Sequence, residues 1–146
     1  MLNVLDTSAK ECVAIEVDVS LGGDRVARVL ERLGAGRSLP HTSVVDNRPG
    51  FHSKALDAWA QTRGVHLQFI RPGKPVEYAY SEAFNSRVRD ECLNRHWFPN
   101  RSEARRILER WRISYNTGRP HRALDLLTPQ QFAESHEESS ATQLSA

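Results

Sequence analysis

Cysteine is scarce in this sequence. Cys12 and Cys92 are the only two, far apart and outside any ligand-spaced cluster, so neither a disulfide framework nor a cysteine-rich zinc site is expected. They read as buried or free thiols of a reducing cytoplasm. None of the six histidines stands in an H-x₃₋₅-H pairing with cysteine, which speaks against zinc again. No apolar stretch approaches the ~18 residues of a membrane helix, and no signal peptide precedes the first elements. A membrane or secreted chain is therefore not expected. Strong net charge is missing too, at +2 from 20 basic and 18 acidic residues.

What is present is ordinary for a soluble domain: 146 residues, 39% apolar and 26% charged, enough for one domain with a real core. The small net charge hides an asymmetry. From Arg87 to Arg122 ten arginines face four acids, Asp90, Glu91, Glu103 and Glu109. From Glu134 the chain carries three glutamates and no lysine or arginine. A basic block before an acidic polar tail suggests a surface facing a polyanion, then a disordered end over residues 134–146. A solvated helix face explains the arginines equally well at this level.

The order of elements follows from pattern. Leu2–Asp6 and Cys12–Val17 make a hairpin about a turn at Thr7–Lys10. Ser20 is a candidate N-cap for a helix with Val26, Val29, Leu30 and Leu33 on one face, stopped by Gly34 and Gly36. Ser43–Asp46 is an apolar strand ending in an acid. Ser53 caps a helix through Leu56, Trp59 and Ala60 that closes at Gly64. Val65–Phe69 alternates as a strand, and Pro72–Pro75 is a loop. The next helix buries Val76, Ala79/Tyr80, Ala83/Phe84, Val88 and Cys92/Leu93, with Glu82, Asn85 and Arg89 on one flank. Asn100–Glu103 is a capping-box pattern opening a helix that packs through Ala104, Ile107, Leu108, Trp111 and Tyr115 and ends near Gly118. Thr128-Pro129 starts a last short helix through Phe132. Trp97, Trp111 and Tyr115 fit the apolar face and are expected in the core. The succession describes an α/β chain with a mixed sheet.

Two acids organise this pattern. Asp46 ends a strand and Glu82 lies on a later helix, with 35 residues between them. Carboxylates so placed can converge on a hard divalent cation, which takes oxygen ligands and leaves positions open for phosphate.

Asp46, Glu82, the link Phe69–Pro75 and the run Arg87–Asn94 closely resemble the insertion-sequence transposases of the retroviral-integrase superfamily. Trp111-Arg112, Tyr115-Asn116, Arg119-Pro120-His121, Ala123-Leu124 and Thr128-Pro129 resemble them as well, so the likeness covers roughly residues 2–133. The resemblance implies a ribonuclease-H-like fold over residues 1–133 and metal-dependent cutting and joining of DNA, with Mg²⁺ or Mn²⁺ as cofactor. It implies three carboxylates, of which Asp46 matches the second and Glu82 the third. The first lies, in the family, on a central strand immediately before the hairpin, and this chain begins at Met1 inside that hairpin. Asp6 and Asp18, the nearby acids, match no family position. Arg48 stands where the family has glycine, Gly50 where it has an acid, and Tyr78 where it commonly has asparagine. The expectation is an amino-terminally truncated catalytic core with little turnover of its own, marginally folded, or alternatively a DNA-binding remnant without catalysis. Candidate DNA contacts are Lys74, Asn85, Arg89, Arg119, His121 and Arg122. DNA and a second copy or a full-length transposase are the implied partners, in a bacterial cytoplasm at the nucleoid.

Overall fold

The strand β1 (Leu2–Asp6) is buried at all five positions, the pattern of a strand with neighbours on both sides and cover on both faces. Its alternation sends Leu2 and Val4 into one apolar layer and Leu5 into the other. It pairs antiparallel with β2 (Glu11–Glu16). The turn between them is built by Asp6, whose Oδ1 accepts from the Ser8 and Ala9 backbone N–H groups at 2.9 and 3.1 Å. This is the computed structural model of the chain, and it describes residues 1–70, 79–136 and 141–145.

The helix α1 (Gly23–Gly34) starts at an N-cap of Gly22, later than the expected Ser20. The reason is steric. A Cβ on Gly23 would lie 1.7 Å from Ser53 Oγ, so the first turn of α1 packs directly on the residue that caps α2 (Lys54–Arg63). Ser53 Oγ accepts from Leu56 N–H at 3.1 Å, and Gly64 closes α2 at φ 70°, both as the sequence predicts. Between these helices runs β3 (Thr42–Val45), parallel to β4 (His66–Phe69).

On the opposite face lie α3 (Ala79–Glu91) and α4 (Arg101–Gly118). Asn100 caps α4 by accepting from Glu103 N–H, but Glu103 turns its carboxylate to Arg106 rather than back to the cap. Asn116 clamps α4 to β2: its amide accepts from Cys12 N–H and donates to Cys12 C=O, at 2.9 and 2.8 Å. The capping box at Thr128 opens α5 (Pro129–Ser135), which runs past the expected end at Phe132. The expected loop Pro72–Pro75, with Lys74 in it, and Val76 lie outside the described residues.

The sheet order is β2-β1-β5-β3-β4, where β5 is Ala141–Ser145. These residues and the helical Glu134-Ser135 fall within the stretch expected as an acidic tail. The central place between the hairpin and β3, expected to be vacant, is held by β5, antiparallel to β1 and parallel to β3. Two buried strand edges left facing each other would strand a row of backbone N–H and C=O groups, and a strand between them satisfies both rows. Leu144, fully buried, joins Leu2, Val4, Val26, Val29 and Val45 in the layer beneath α1 and α2. The second layer gathers Leu5, Cys12, Phe84, Val88, Leu108 and Tyr115 beneath α3 and α4.

Candidate metal and nucleic-acid site

Asp46 follows directly on β3, with its carboxylate one quarter exposed. The parallel register that sets Val45 against Leu144 brings Asp46 level with Ser145. Ser145 is fully buried, and its Oγ donates to Asn85 Oδ1 at 3.2 Å. Asn85 stands on α3 one turn beyond Glu82. Ser145 thus reaches Asn85, one turn along α3 from Glu82. Glu82 is exposed and has no hydrogen-bond or ion-pair partner among the described residues. Asp46, by contrast, is engaged: Arg48 Nε lies 3.0 Å from its Oδ2. The side-chain amide of Asn47 donates to Ile70 C=O, tying the turn after Asp46 to the end of β4.

The other two acids considered are committed elsewhere. Asp6 is buried in its turn and bridged by Arg37. Asp18 accepts from Val19 N–H, which with the nearby Arg25 and Arg101 holds its carboxyl below the usual range. No group of three His, Cys, Asp or Glu assembles among the described residues.

The candidate DNA contacts separate into two sets. Arg119 forms a two-pronged bridge to Glu91 and lies over the rings of Trp111 and Tyr115. Asn85 is spent on Asn3, whose Nδ2 donates to its Oδ1 at 2.7 Å, and on Ser145. His121 packs edge-on against Tyr115, and burial, with Arg87 and Arg119 nearby, pushes its pKa down. These three knit the fold together. Arg89 and Arg122 are exposed and pair with no carboxylate among the described residues, as are Arg95 and Arg110, which sequence reasoning did not single out. The signal that finds Arg110 is position: the residue three before it is Ile107, whereas Arg106 and Arg112 are each bound to the glutamate three residues before them. Trp97 is 84% exposed in the α3–α4 connection, against the expectation of a core residue. Trp111 and Tyr115 do pack inside.

Residues 63–129 match the family model described as an integrase core domain. Over 135 residues the chain is 47% identical to an uncharacterized 31.7 kDa protein of insertion element IS407 from Burkholderia multivorans, covering 92% of this chain and 49% of that protein. It is 42% identical to an uncharacterized 39.2 kDa protein of insertion element IS476 from Xanthomonas euvesicatoria, over 90% of this chain and 38% of that one. Residues 63–129 carry the integrase-core match, and most of the chain is similar to proteins of insertion elements. The chain spans about half the length of the first of these relatives, and less of the second. The fold agrees: the catalytic core domain of BIV integrase superposes with a TM-score of 0.67 over 89% of this chain and 82% of that one, at 16% identity.

An integrase core implies a divalent cation, so its donor set is worth testing. Asp46 and Glu82 offer hard carboxylate oxygens of the right kind. Among the described residues they are too few for two cations. Arg48 pairs with Asp46, and the amide oxygen of Asn85, one turn from Glu82, already accepts two hydrogen bonds, from Asn3 and Ser145. The described residues do not fit a two-metal site.

Proposed function

We propose that this chain is the DNA-holding core portion of an insertion-element transposase, and that in the fold described it binds DNA without cutting or joining it. The family's chemistry is metal-dependent cleavage and transfer of DNA strands. One observation carries the reading: no third possible ligand gathers with Asp46 and Glu82 among the described residues, while Arg48 already occupies Asp46. Arg89, Arg95, Arg110 and Arg122 supply phosphate contacts that position DNA without reading bases. Exposed beside this basic block, Trp97 offers a face on which an unpaired base can stack.

The test is DNA binding by fluorescence anisotropy over a salt series. Affinity should fall steeply from 50 to 200 mM salt, as counterion release requires. Arg110→Ala should flatten the slope by about one unit for the contact removed, while Arg106→Ala, paired to Glu103, should flatten it less. Binding that ignores salt, or a slope left unchanged by alanine at each of Arg89, Arg95, Arg110 and Arg122, overturns the proposal.

A further inference from the structure

Arg48 is paired on one side only. Its Nε lies 3.0 Å from Asp46 Oδ2, while its two Nη groups have no hydrogen-bond partner among the described residues. A guanidinium carries its N–H donors in a rigid fork that can serve two acceptors at once. Asp46 thus uses part of the fork and leaves the rest, on a side chain 61% exposed, for a second anion. The backbone beneath it is fixed before any ligand arrives. The Asn47 amide ties the turn to the end of β4, and Pro49 restricts Arg48 to the extended conformation it shows, at φ −65° and ψ 147°. A Cβ on Gly50 would lie 2.9 Å from the Leu21 carbonyl oxygen, so this segment rests directly on the approach to α1. Charge around the turn favours an anion as well. From Asn47 to Lys54 the chain carries no acid, and Lys54 is exposed. Arg48 walls an open cleft of about 310 Å³ with Val19, Leu21 and Asp18. The Asp18 carboxylate there is already tied to Arg25 and Arg101, and the cleft leaves room for a tetrahedral group.

We propose that Arg48 is a phosphate-binding residue for DNA, and that its guanidinium takes at Asp46 the part a divalent cation would take. A bare Asp46 repels a backbone phosphodiester. With Arg48 in place the charges alternate as carboxylate, guanidinium and phosphate, and each anion meets the fork through charge-assisted hydrogen bonds. DNA is therefore held at the end of β3 without metal. The misfit between this donor set and two cations has a positive counterpart, a side-chain cation fixed where a bound one would otherwise be needed. This inference rests on the DNA-binding reading above, and adds a contact at the end of β3 to those of the basic block.

The experiment measures binding of a labelled duplex by the full chain, Arg48→Ala and Arg48→Lys, in EDTA and then in millimolar Mn²⁺ at equal ionic strength. In EDTA, Arg48→Ala should bind about tenfold or more weakly, as the loss of a hydrogen bond between charged groups implies. Its salt slope should be lower by about one. Arg48→Lys keeps the charge and loses the fork, and should fall between the two. In Mn²⁺ the gap between the parent and Arg48→Ala should narrow, because the bared Asp46 can then hold a cation that bridges to the phosphate. All three proteins should share one unfolding midpoint, as an exposed side chain implies. Two results would overturn the proposal. One is equal affinity of the parent and Arg48→Ala in EDTA. The other is a gap that stays or widens in Mn²⁺, which would set Arg48 beside a cation rather than in its stead. Salt-sensitive binding by the parent, matched by Arg48→Ala, sinks this inference alone, whereas a parent that binds no DNA removes the reading above with it.

Discussion

Leu144→Ala tests the least expected element of the fold. Its side chain is fully buried among Leu2, Val4, Val26 and Val45. Truncation to alanine removes about three carbons, near 2.4 kcal/mol at ~0.8 kcal/mol each. It also leaves a cavity, so a total of about 2–5 kcal/mol is expected. Against a net stability of ~5–15 kcal/mol for a domain, that is a large share. With a urea slope of roughly 1–3 kcal/mol per molar, the unfolding midpoint should drop by about 1–3 M. The thermal midpoint should drop by roughly 5–20 °C. The comparison is Val19→Ala, at a side chain 83% exposed, which should stay within ~0.5 kcal/mol of the parent. If Leu144→Ala unfolds like Val19→Ala, the tail contributes no strand to the sheet and the reasoning about β5 fails.

Other predictions follow from particular contacts. Asn116→Ala leaves the Cys12 N–H without its acceptor and removes one of two donors to the Cys12 C=O, which keeps Arg112, and should cost about 1–3 kcal/mol in urea unfolding; a loss below ~0.5 kcal/mol would show that α4 is not anchored there. Arg48→Ala frees Asp46 and should strengthen Mn²⁺ binding measured by calorimetry; unchanged affinity would mean that Arg48 does not guard the acid. Glu91 is held below the ordinary glutamate range chiefly by its hydrogen bonds from Arg119. Its contribution is full above the unfolded value near 4.5 and is lost as pH falls through the lowered one. Glu91→Gln should therefore unfold more easily at pH 7 and lose less stability between pH 5 and pH 3 than the parent. His121 is depressed by burial, so its neutral ring favours the fold above pH ~6.5 and the benefit declines as pH falls below that. His121→Gln should remove this slope, and a parent with flat stability from pH 7 to pH 5 would contradict it.

Much of the architecture was legible because it rests on local chemistry. Ser53, Gly64, Asn100 and Thr128 mark helix ends by the backbone groups they satisfy or the φ they permit. The hairpin and the acid at the end of β3 follow from strand alternation. The misreadings lie where distant parts of the chain decide. Ser20 is an acceptable cap, but the start of α1 is set by the room Ser53 needs at Gly23. A five-residue polar strand carries almost no periodic signal, so β5 is recognisable only from the two edges it joins. Arg119 looks like a phosphate ligand until Glu91 and Trp111 are seen to hold it. Trp97 illustrates the converse, a large aromatic whose type suggests burial and whose place in the α3–α4 connection leaves it in solvent.

The central claim is that Asp46 and Glu82, with no third ligand gathered beside them among the described residues, form an incomplete site on a chain that still binds DNA. The direct measurement incubates the purified chain with a labelled duplex and Mn²⁺, scoring bound, nicked and joined DNA in the same samples, alongside Glu82→Ala. The account predicts salt-sensitive binding equal in both proteins and no nicked or joined product in either. Products formed by the parent and abolished by Glu82→Ala would contradict it, and would make the pair of acids sufficient for catalysis.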